Sequence, residues 1–437
     1  MHGNGQRLRE LRELAGLTQS ELGRRANVSE STISNLERDK VKPRADTALL
    51  LAGALELAGE ERKRVLAWPY SRTSSMGRDA CIDGRRWGGA PVYVPPTRLI
   101  GRDGELGELV DTICREDVRL ATLTGPGGVG KTRTATRAFE LAGSRFSGGC
   151  HAADLSAVPQ DHDPAPAIGA ALSPATAVRE HTELSRMIGA RHVLFLLDNV
   201  EQLPGAAPLI AHLLAECPRL TILATSRTPL GLRGEHRIRL CMLAVPEGKE
   251  PTIEQVLTTS SGQLFHYYAG MLSKDWDPGD DAAVDLARIC RAVAGLPLSL
   301  ELAAGWTETL TLKQIADRLD TPGRHLEILA DSHRDGPARH KAITATIAGS
   351  VQLLTPGQRD LLVVLATRLP SAWTLDEAHT AARHHAPGIH VITELRPLVA
   401  HGLVNHSSTN GRYLITSSVR EYVRTDLSGD DAARGGT

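Results

Sequence analysis

The residues best suited to chemistry lie in one short run, GPGGVGKT at Gly125–Thr132. Gly125, Gly127, Gly128 and Gly130, with Val129 among them, would let backbone N–H groups converge on phosphate oxygens with no Cβ in the way. Lys131 has the reach and charge for β- and γ-phosphates, and the Thr132 hydroxyl can ligate a magnesium ion. Such a turn needs a strand to deliver it and a helix starting just beyond it, because the helix N-terminus adds unpaired N–H groups and a positive dipole end. The flanks comply: apolar Leu120–Thr124 precedes the turn and helix-forming Arg133–Leu141 follows it. A second group, the Asp198 carboxylate, ends the apolar run His192–Asp198. At the carboxyl end of a parallel strand it would face the turn and hold Mg2+ opposite Thr132. Triphosphate hydrolysis also needs a group that polarises water. Asn199 is an amide, so Glu201 is the nearest substitute and slow turnover is expected. Arg227, after the run Leu220–Ser226, can read a γ-phosphate with its fixed cation. Lys131, Asp198, Glu201 and Arg227 are the catalytic candidates, with ATP or ADP and Mg2+ as expected ligands.

The elements that must position these groups show in the pattern. From Leu99 to about Asp320, short β-branched runs alternate with longer helical stretches, as in a parallel sheet wrapped by helices. Strands are expected at Leu120–Thr124, His151–Leu155, Val193–Leu197, Leu220–Ser226 and Arg237–Leu240. Upstream, Gln6–Ala67 carries helical apolar spacing at Leu8, Leu11 and Leu14, then Leu22 and Ala26, then Ile33 and Leu36, then Leu49–Ala52. Trp68–Pro96, rich in Gly, Pro, Ser and Arg, has neither period and reads as a linker. From Leu286 onward the pattern is mainly helical and ends in a hairpin signal. The expected fold class is multidomain α and α/β: an N-terminal helix-turn-helix bundle, a parallel-sheet α/β domain carrying the phosphate turn, a helical domain and a winged helix.

Within Leu17–Arg44, Thr18 and Glu21 form a capping-box pair for a first helix ending near Ala26. Asn27-Val28 makes a tight turn, and Ser29 caps a second helix through Leu36, with Val28, Ile33 and Leu36 anchoring the pair. Two helices joined this tightly can place the second in a DNA major groove. Glu30, Ser31, Thr32 and Asn35 face outward; Asn35 can pair with adenine and Glu30 can accept from a cytosine amine. Arg38, Lys40, Lys42 and Arg44 would lie along the phosphate backbone.

The chain's 437 residues suggest about three domains. A formal charge of −1 gives no whole-chain argument for nucleic acid or membrane, so the DNA argument is local. No apolar run approaches the ~18 residues needed to cross a bilayer, and no secretory signal opens the chain. Cys81, Cys114, Cys150, Cys217, Cys241 and Cys290 are dispersed and read as reduced thiols of a cytoplasmic protein. His384-His385, near His379 and His390, lacks an acidic or Cys partner at ligand spacing and reads as a solvated loop.

The N-terminal residues TQ-x-x-L, V-S-x-x-x-I-S-x-x-E and the basic-Pro turn resemble the lambda-repressor/Cro-like, or XRE, helix-turn-helix family. That resemblance implies that Thr18, Gln19 and Ser29 belong to the DNA-contacting set, Gln19 touching phosphate and orienting the second helix. Farther on, IGRD at Ile100–Asp103, GPGGVGKT, LLDNVEQL at Leu196–Leu203, ATSRTPLGLRGE at Ala224–Glu235 and GLPLSLELAA at Gly295–Ala304 follow in order. They resemble the NB-ARC branch of the STAND ATPases, near the actinobacterial regulators that couple this module to DNA-binding domains. The resemblance implies that Ile100, Gly101 and Arg102 line the adenine and ribose, that Pro297 packs on the base, and that Arg133 joins the nucleotide ligands. It further implies a module holding ADP when off and exchanging it for ATP to reorganise or oligomerise, as a dimer or larger. Ala338–Leu362 resembles the family's entry into a winged helix. There the family's M-H-D position is occupied by Ile415-Thr416-Ser417, so no imidazole clamp on the β-phosphate is expected. The implied layout is a DNA-binding domain at 1–67, linker 68–96, nucleotide domain 97–245, helical domain 246–337, winged helix 338–427 and a disordered tail 428–437. Most relatives continue into a helical-repeat sensor; with the sequence ending at Thr437, either the switch module senses the trigger or a separate protein supplies it. The alternative to a nucleotide-switched transcription regulator is a signalling or defence ATPase whose N-terminal block recruits a protein. A turnover enzyme acting on a small substrate would need its own catalytic cleft, and no motif marks one.

Overall fold

The computed structural model describes residues 4–26, 28, 30–38, 47, 51, 53–55, 57, 87–88 and 97–427, apart from 174–177, 179, 274–275, 322, 330–342 and 407–410. The chain divides into two compact units, 1–85 and 86–437.

In the first unit, α1 spans Asn4–Leu14, α2 Gln19–Arg25 and α3 Glu30–Glu37. Thr18 caps α2: its hydroxyl accepts from the Glu21 N–H while the Glu21 carboxylate accepts from the Thr18 N–H, satisfying two donors that the helix start would leave open. Leu8, Leu11, Leu22, Ala26, Ile33 and Leu36 close over Leu51 and Leu55 in one apolar core, with Val28 packed against it. Leu14 departs from the expected stripe and is 80% exposed. At 100° per residue it lies about 120° around α1 from Leu8, off the buried face. Ser29, Lys40, Lys42 and Arg44 lie outside the described residues.

Among the described residues, the second unit is built on a six-stranded parallel sheet. Its strands are β1 (Trp87–Gly88), β2 (Leu120–Thr124), β3 (Cys150–Asp154), β4 (Val193–Asp198), β5 (Leu220–Ser226) and β6 (Glu235–Arg239), in the order β1-β3-β4-β5-β2-β6. β3 begins one residue earlier than expected and β6 two residues earlier. β1 lies in the stretch read as linker: it pairs with Cys150 and His151, and a strand of two residues carries no period to detect. Alternate residues of β4 serve two cores. Val193, Phe195 and Leu197 pack with α6 (Ala165–Leu172), α7 (His181–Ile188) and α8 (Ala206–Glu216); Leu194 and Leu196 pack with α4 (Asp103–Ile113) and α5 (Lys131–Ala142). A strand covered on both faces must be apolar throughout, which is why it reads VLFLL.

Beyond the sheet come α9 (Ile253–Thr258), α10 (Ser260–Leu272), α11 (Ala283–Ala292), α12 (Pro297–Gly305), α13 (Leu312–Asp320), α14 (His325–Ile328), α15 (Ile343–Gln352) and α16 (Pro356–Arg368). β7 (Ala372–Trp373), α17 (Leu375–His385), α18 (Val391–Ala400), β8 (Asn405–His406), β9 (Tyr413–Leu414) and α19 (Ser417–Tyr422) complete the chain. The expected hairpin β8–β9 gains a third strand, in the antiparallel order β7-β9-β8. Trp373 stacks on Tyr413 across it, with ring centroids 4.9 Å apart. One apolar core runs from Leu243 to Val423 through all these helices. The last helix passes at Val423–Leu427 into a π turn, and the tail after Leu427 lies outside the described residues. Among the described residues no helix is long and apolar enough to cross a membrane.

Candidate functional site

β2 ends at Thr124 and α5 begins at Lys131, so the turn between them sits at the carboxyl edge of the sheet with a helix N-terminus behind it. Two of its glycines are required by close approach. A Cβ on Gly127 would stand 2.3 Å from Thr346 Cγ2, and one on Gly128, whose φ is +77°, 2.9 Å from Leu298 Cβ. Lys131 is folded over its own turn: Nζ donates to the carbonyls of Gly125 (2.8 Å) and Pro126 (3.0 Å). Burial pushes this ammonium down from its ordinary range to about 8; Arg227 adds to the depression, while Glu201 and Asp198 oppose it. A polyphosphate would pair with this ammonium and raise its pKa again.

Asp198 is fully buried at the end of β4 and anchors a network of oxygens. The Thr132 hydroxyl donates to its two carboxylate oxygens at 2.9 and 3.0 Å, and the Thr225 hydroxyl donates to Oδ1 at 2.5 Å. Asn199, held at a φ of +62°, donates from Nδ2 to Asp198 (2.7 Å) and Asp154 (3.0 Å). Adjacent oxygens in an octahedral Mg2+ shell, with ligands near 2.0–2.1 Å, lie about 2.9 Å apart. The spacing of the Thr132 and Asp198 oxygens and their hard-donor chemistry fit that ion.

Arg227 reaches across to the C-terminal helices. Its Nε donates to Glu201 Oε1 (3.3 Å), and Nη1 donates to the Thr346 carbonyl (3.3 Å) and to the Ser350 hydroxyl, both on α15. The second oxygen of Glu201, Oε2, is buried without a hydrogen-bond partner. The guanidinium expected to read a γ-phosphate is thus held by Glu201 and α15. Beside it, Gly402 stands so close to the turn that a Cβ there would be 2.1 Å from Pro126 Cβ. A cavity of about 40 Å³ lies at this junction, lined by Pro126, Gly127, Ser350, Thr416 and His401 among others. His401 Nδ1 is buried with no partner, and burial, then Arg227, hold this imidazole below its ordinary value while Glu201 opposes them. An imidazole therefore stands at the turn although Ile415-Thr416-Ser417 offers none. Nothing in the sequence marks His401, because its place depends on how α18 ends against Pro126.

The residues expected around adenine and ribose are bound within the protein. Arg102 is 3% exposed; its guanidinium donates to Glu105 (2.9 Å) and to the Val129 carbonyl (3.1 Å), so it braces the turn from behind. Gly101, beside Ile100, has a φ of +67° and packs on Ser260. Pro297 opens α12, whose Leu298 N–H donates to the Gly128 carbonyl at 3.2 Å. Arg133 is engaged with Thr97, Arg98 and Tyr268.

In the first unit, Gln19 Nε2 donates to Glu37 at 2.7 Å, tying the start of α2 to the end of α3. Glu37 also pairs with Arg12 at 2.5 and 3.1 Å, and Arg12 donates to the Leu17 carbonyl at 2.7 Å. The Glu37 hydrogen bond raises the Arg12 pKa. This buried pair escaped the sequence reading because its members are 25 positions apart. Glu30, Ser31, Thr32 and Asn35 lie on α3, with Arg38 exposed just beyond it.

Residues 8–61 match the helix-turn-helix family model. The uncharacterised protein Rv0894 of Mycobacterium tuberculosis is 32% identical over 342 residues, covering 76% of this chain and 82% of that protein. A second protein of that organism, "Putative HTH-type transcriptional regulator Rv0890c", is 32% identical over 316 residues, 71% of this chain but 34% of its own length. Among solved structures, the Walker-type ATPase PABY2304 of Pyrococcus abyssi shares 16% identity at a TM-score of 0.47, over 76% of this chain and 99% of that one. That likeness is too loose to argue from.

Proposed function

This chain belongs to the family of M. tuberculosis Rv0894 and carries a helix-turn-helix at residues 8–61, and we propose that it is a nucleotide-switched, DNA-binding transcription regulator. The observation that carries the reading is the buried Lys131 ammonium, resting on carbonyls of its own turn at a helix start, beside the paired oxygens of Thr132 and Asp198. That arrangement supports binding of ATP or ADP. Mg2+, when bound, would neutralise phosphate charge from Thr132 and Asp198. Gly125, Gly127, Gly128, Val129 and Gly130 supply the amide cradle, while Ile100, Gly101 and Pro297 shape the base side.

Turnover is slow in this reading, because the carboxylate that would polarise water, Glu201, is tied to Arg227. Reading a third phosphate requires Arg227 to leave Thr346 and Ser350, which loosens α15 from the sheet. The C-terminal helices, of winged-helix order around β7-β9-β8, then move. Driving a population from 1:99 to 99:1 takes about 5.5 kcal/mol of differential binding, which Lys131, Arg227 and the metal can supply together. The opened form associates with further copies and presents paired N-terminal domains to DNA half-sites in the cytoplasm. Glu30, Ser31, Thr32 and Asn35 read the bases, Thr18 and Ser29 join the contacting set, and Gln19, Arg38, Lys40, Lys42 and Arg44 lie on the phosphates.

Calorimetry with ATP and ADP in the presence of Mg2+ tests the core of this reading. Lys131→Ala should weaken binding by about a hundredfold or more, the scale for removing a buried charge-assisted contact. Micromolar binding that survives the substitution contradicts it.

A further inference from the structure

We propose that Arg133 is a positioning residue through which the phosphate turn grips the Thr97–Arg98 stretch of the second unit. This rests on the nucleotide reading above and adds a route by which occupancy reaches the Thr97–Arg98 stretch.

Arg133 follows Thr132 directly, in the first turn of α5, yet its guanidinium bonds to residues outside the phosphate turn. Nη1 donates to the Tyr268 hydroxyl at 2.8 Å. Nη2 donates to the Thr97 carbonyl (3.0 Å), the Thr97 hydroxyl (2.5 Å) and the Arg98 carbonyl (3.1 Å). The ring closes where the Thr97 and Tyr268 hydroxyls meet at 3.3 Å, and the Arg98 N–H donates to the Tyr267 hydroxyl at 3.2 Å. Tyr268 is 8% exposed and rooted in the C-terminal core, so it is a fixed post. Thr97 and Arg98 have no comparable root. They border a groove of about 500 Å³, with Leu99, Asp103, Arg137 and Glu140 on its walls, so they can shift without opening a core.

Lys131, Thr132 and Arg133 share one rigid helical turn. A shift of that turn as Lys131 and Thr132 engage phosphate and metal therefore displaces the guanidinium too. The planar fork holds several acceptors in one geometry, so its bonds loosen together and a small displacement has a large effect.

The test is tryptic cleavage after Arg98 in the full chain, read by mass spectrometry of the released fragment, with calorimetry in parallel. Cleavage tracks local opening, and losing this set of bonds should change it about tenfold. In the wild type, ATP–Mg2+ and ADP–Mg2+ should give cleavage rates differing by about that factor. Thr97→Val and Tyr268→Phe should each cleave fast and alike in both nucleotides while nucleotide affinity stays unchanged. Thr97→Ser, which keeps the hydroxyl, should retain the contrast. A wild-type chain that binds neither nucleotide defeats the nucleotide reading itself. A wild-type chain that binds both but is cleaved alike in each overturns only the role given to Arg133, as does a valine variant that keeps the contrast.

Discussion

Among the described residues each unit buries an arginine–glutamate pair, and the two pairs are buried almost equally. Side-chain exposures are 10% and 3% for Arg12 and Glu37, against 12% and 5% for Arg227 and Glu201. Their bonding differs sharply. Glu37 receives Arg12 on its two oxygens and Gln19 on one of them. Glu201 receives one bond of 3.3 Å, and its other oxygen is buried without a partner. The remaining reach of Arg227 goes to α15, more than a hundred residues away. A satisfied buried pair resists change, since removing either partner strands a charge, whereas an incompletely satisfied one gains by exchanging partners. The first pair holds the helix-turn-helix in shape; the second suits the partner exchange proposed for Arg227.

The largest effect expected from this contrast is in the first unit. Glu37→Ala leaves the buried Arg12 with the Leu17 carbonyl and the exposed Glu13 carboxylate, 3.7 Å away, in place of its two-point partner, a loss of about 3 kcal/mol, enough to abolish the cooperative thermal transition of residues 1–85. A melting curve that hardly moves would remove the distinction between the pairs. Next is pH. Lys131 sits at about 8 without phosphate, and a polyphosphate raises it. Binding therefore takes up a proton only above about 8, so affinity is flat below that pH and falls up to about tenfold per unit above it. Calorimetry from pH 6 to 10 checks the slope. Ser350→Ala removes one holder of Arg227 and should favour ATP over ADP by about tenfold at most, on the scale of one hydrogen bond; an unchanged ratio of the two affinities would mean that α15 does not restrain the arginine. Smallest is Glu201→Gln, which keeps the shape and supplies a donor where an oxygen lacked a partner. It should cost under about 1 kcal/mol in chemical unfolding, and a loss as large as that of Glu37→Ala would show that the second pair is as fixed as the first.

Legibility followed locality. GPGGVGKT, the Thr18–Glu21 capping box and the runs of β2, β4 and β5 are short-range patterns, and the structure places each element within a residue of its expected bounds. Trp87–Gly88 as a strand, the exposure of Leu14 and the engagement of Arg102 and Arg133 depend on partners far along the chain. His401 is the clearest case. Its position at the phosphate turn comes from Gly402 stacking on Pro126, residues nearly three hundred positions apart, and no local period records such a contact.

By itself the amino-acid order determined the chemistry on offer: a glycine turn that admits phosphate, a lysine and a threonine at a helix start, a carboxylate at a strand end and a capped helix pair. Those properties follow from side-chain type and from the 2.0 and 3.6 periods of the backbone. Which cations are already occupied, which carboxylate oxygen is left unmet and which imidazole faces the turn were decided only by tertiary packing. Burial creates these differences, since desolvation makes each unmet bond costly, and burial exists only once distant segments have come together.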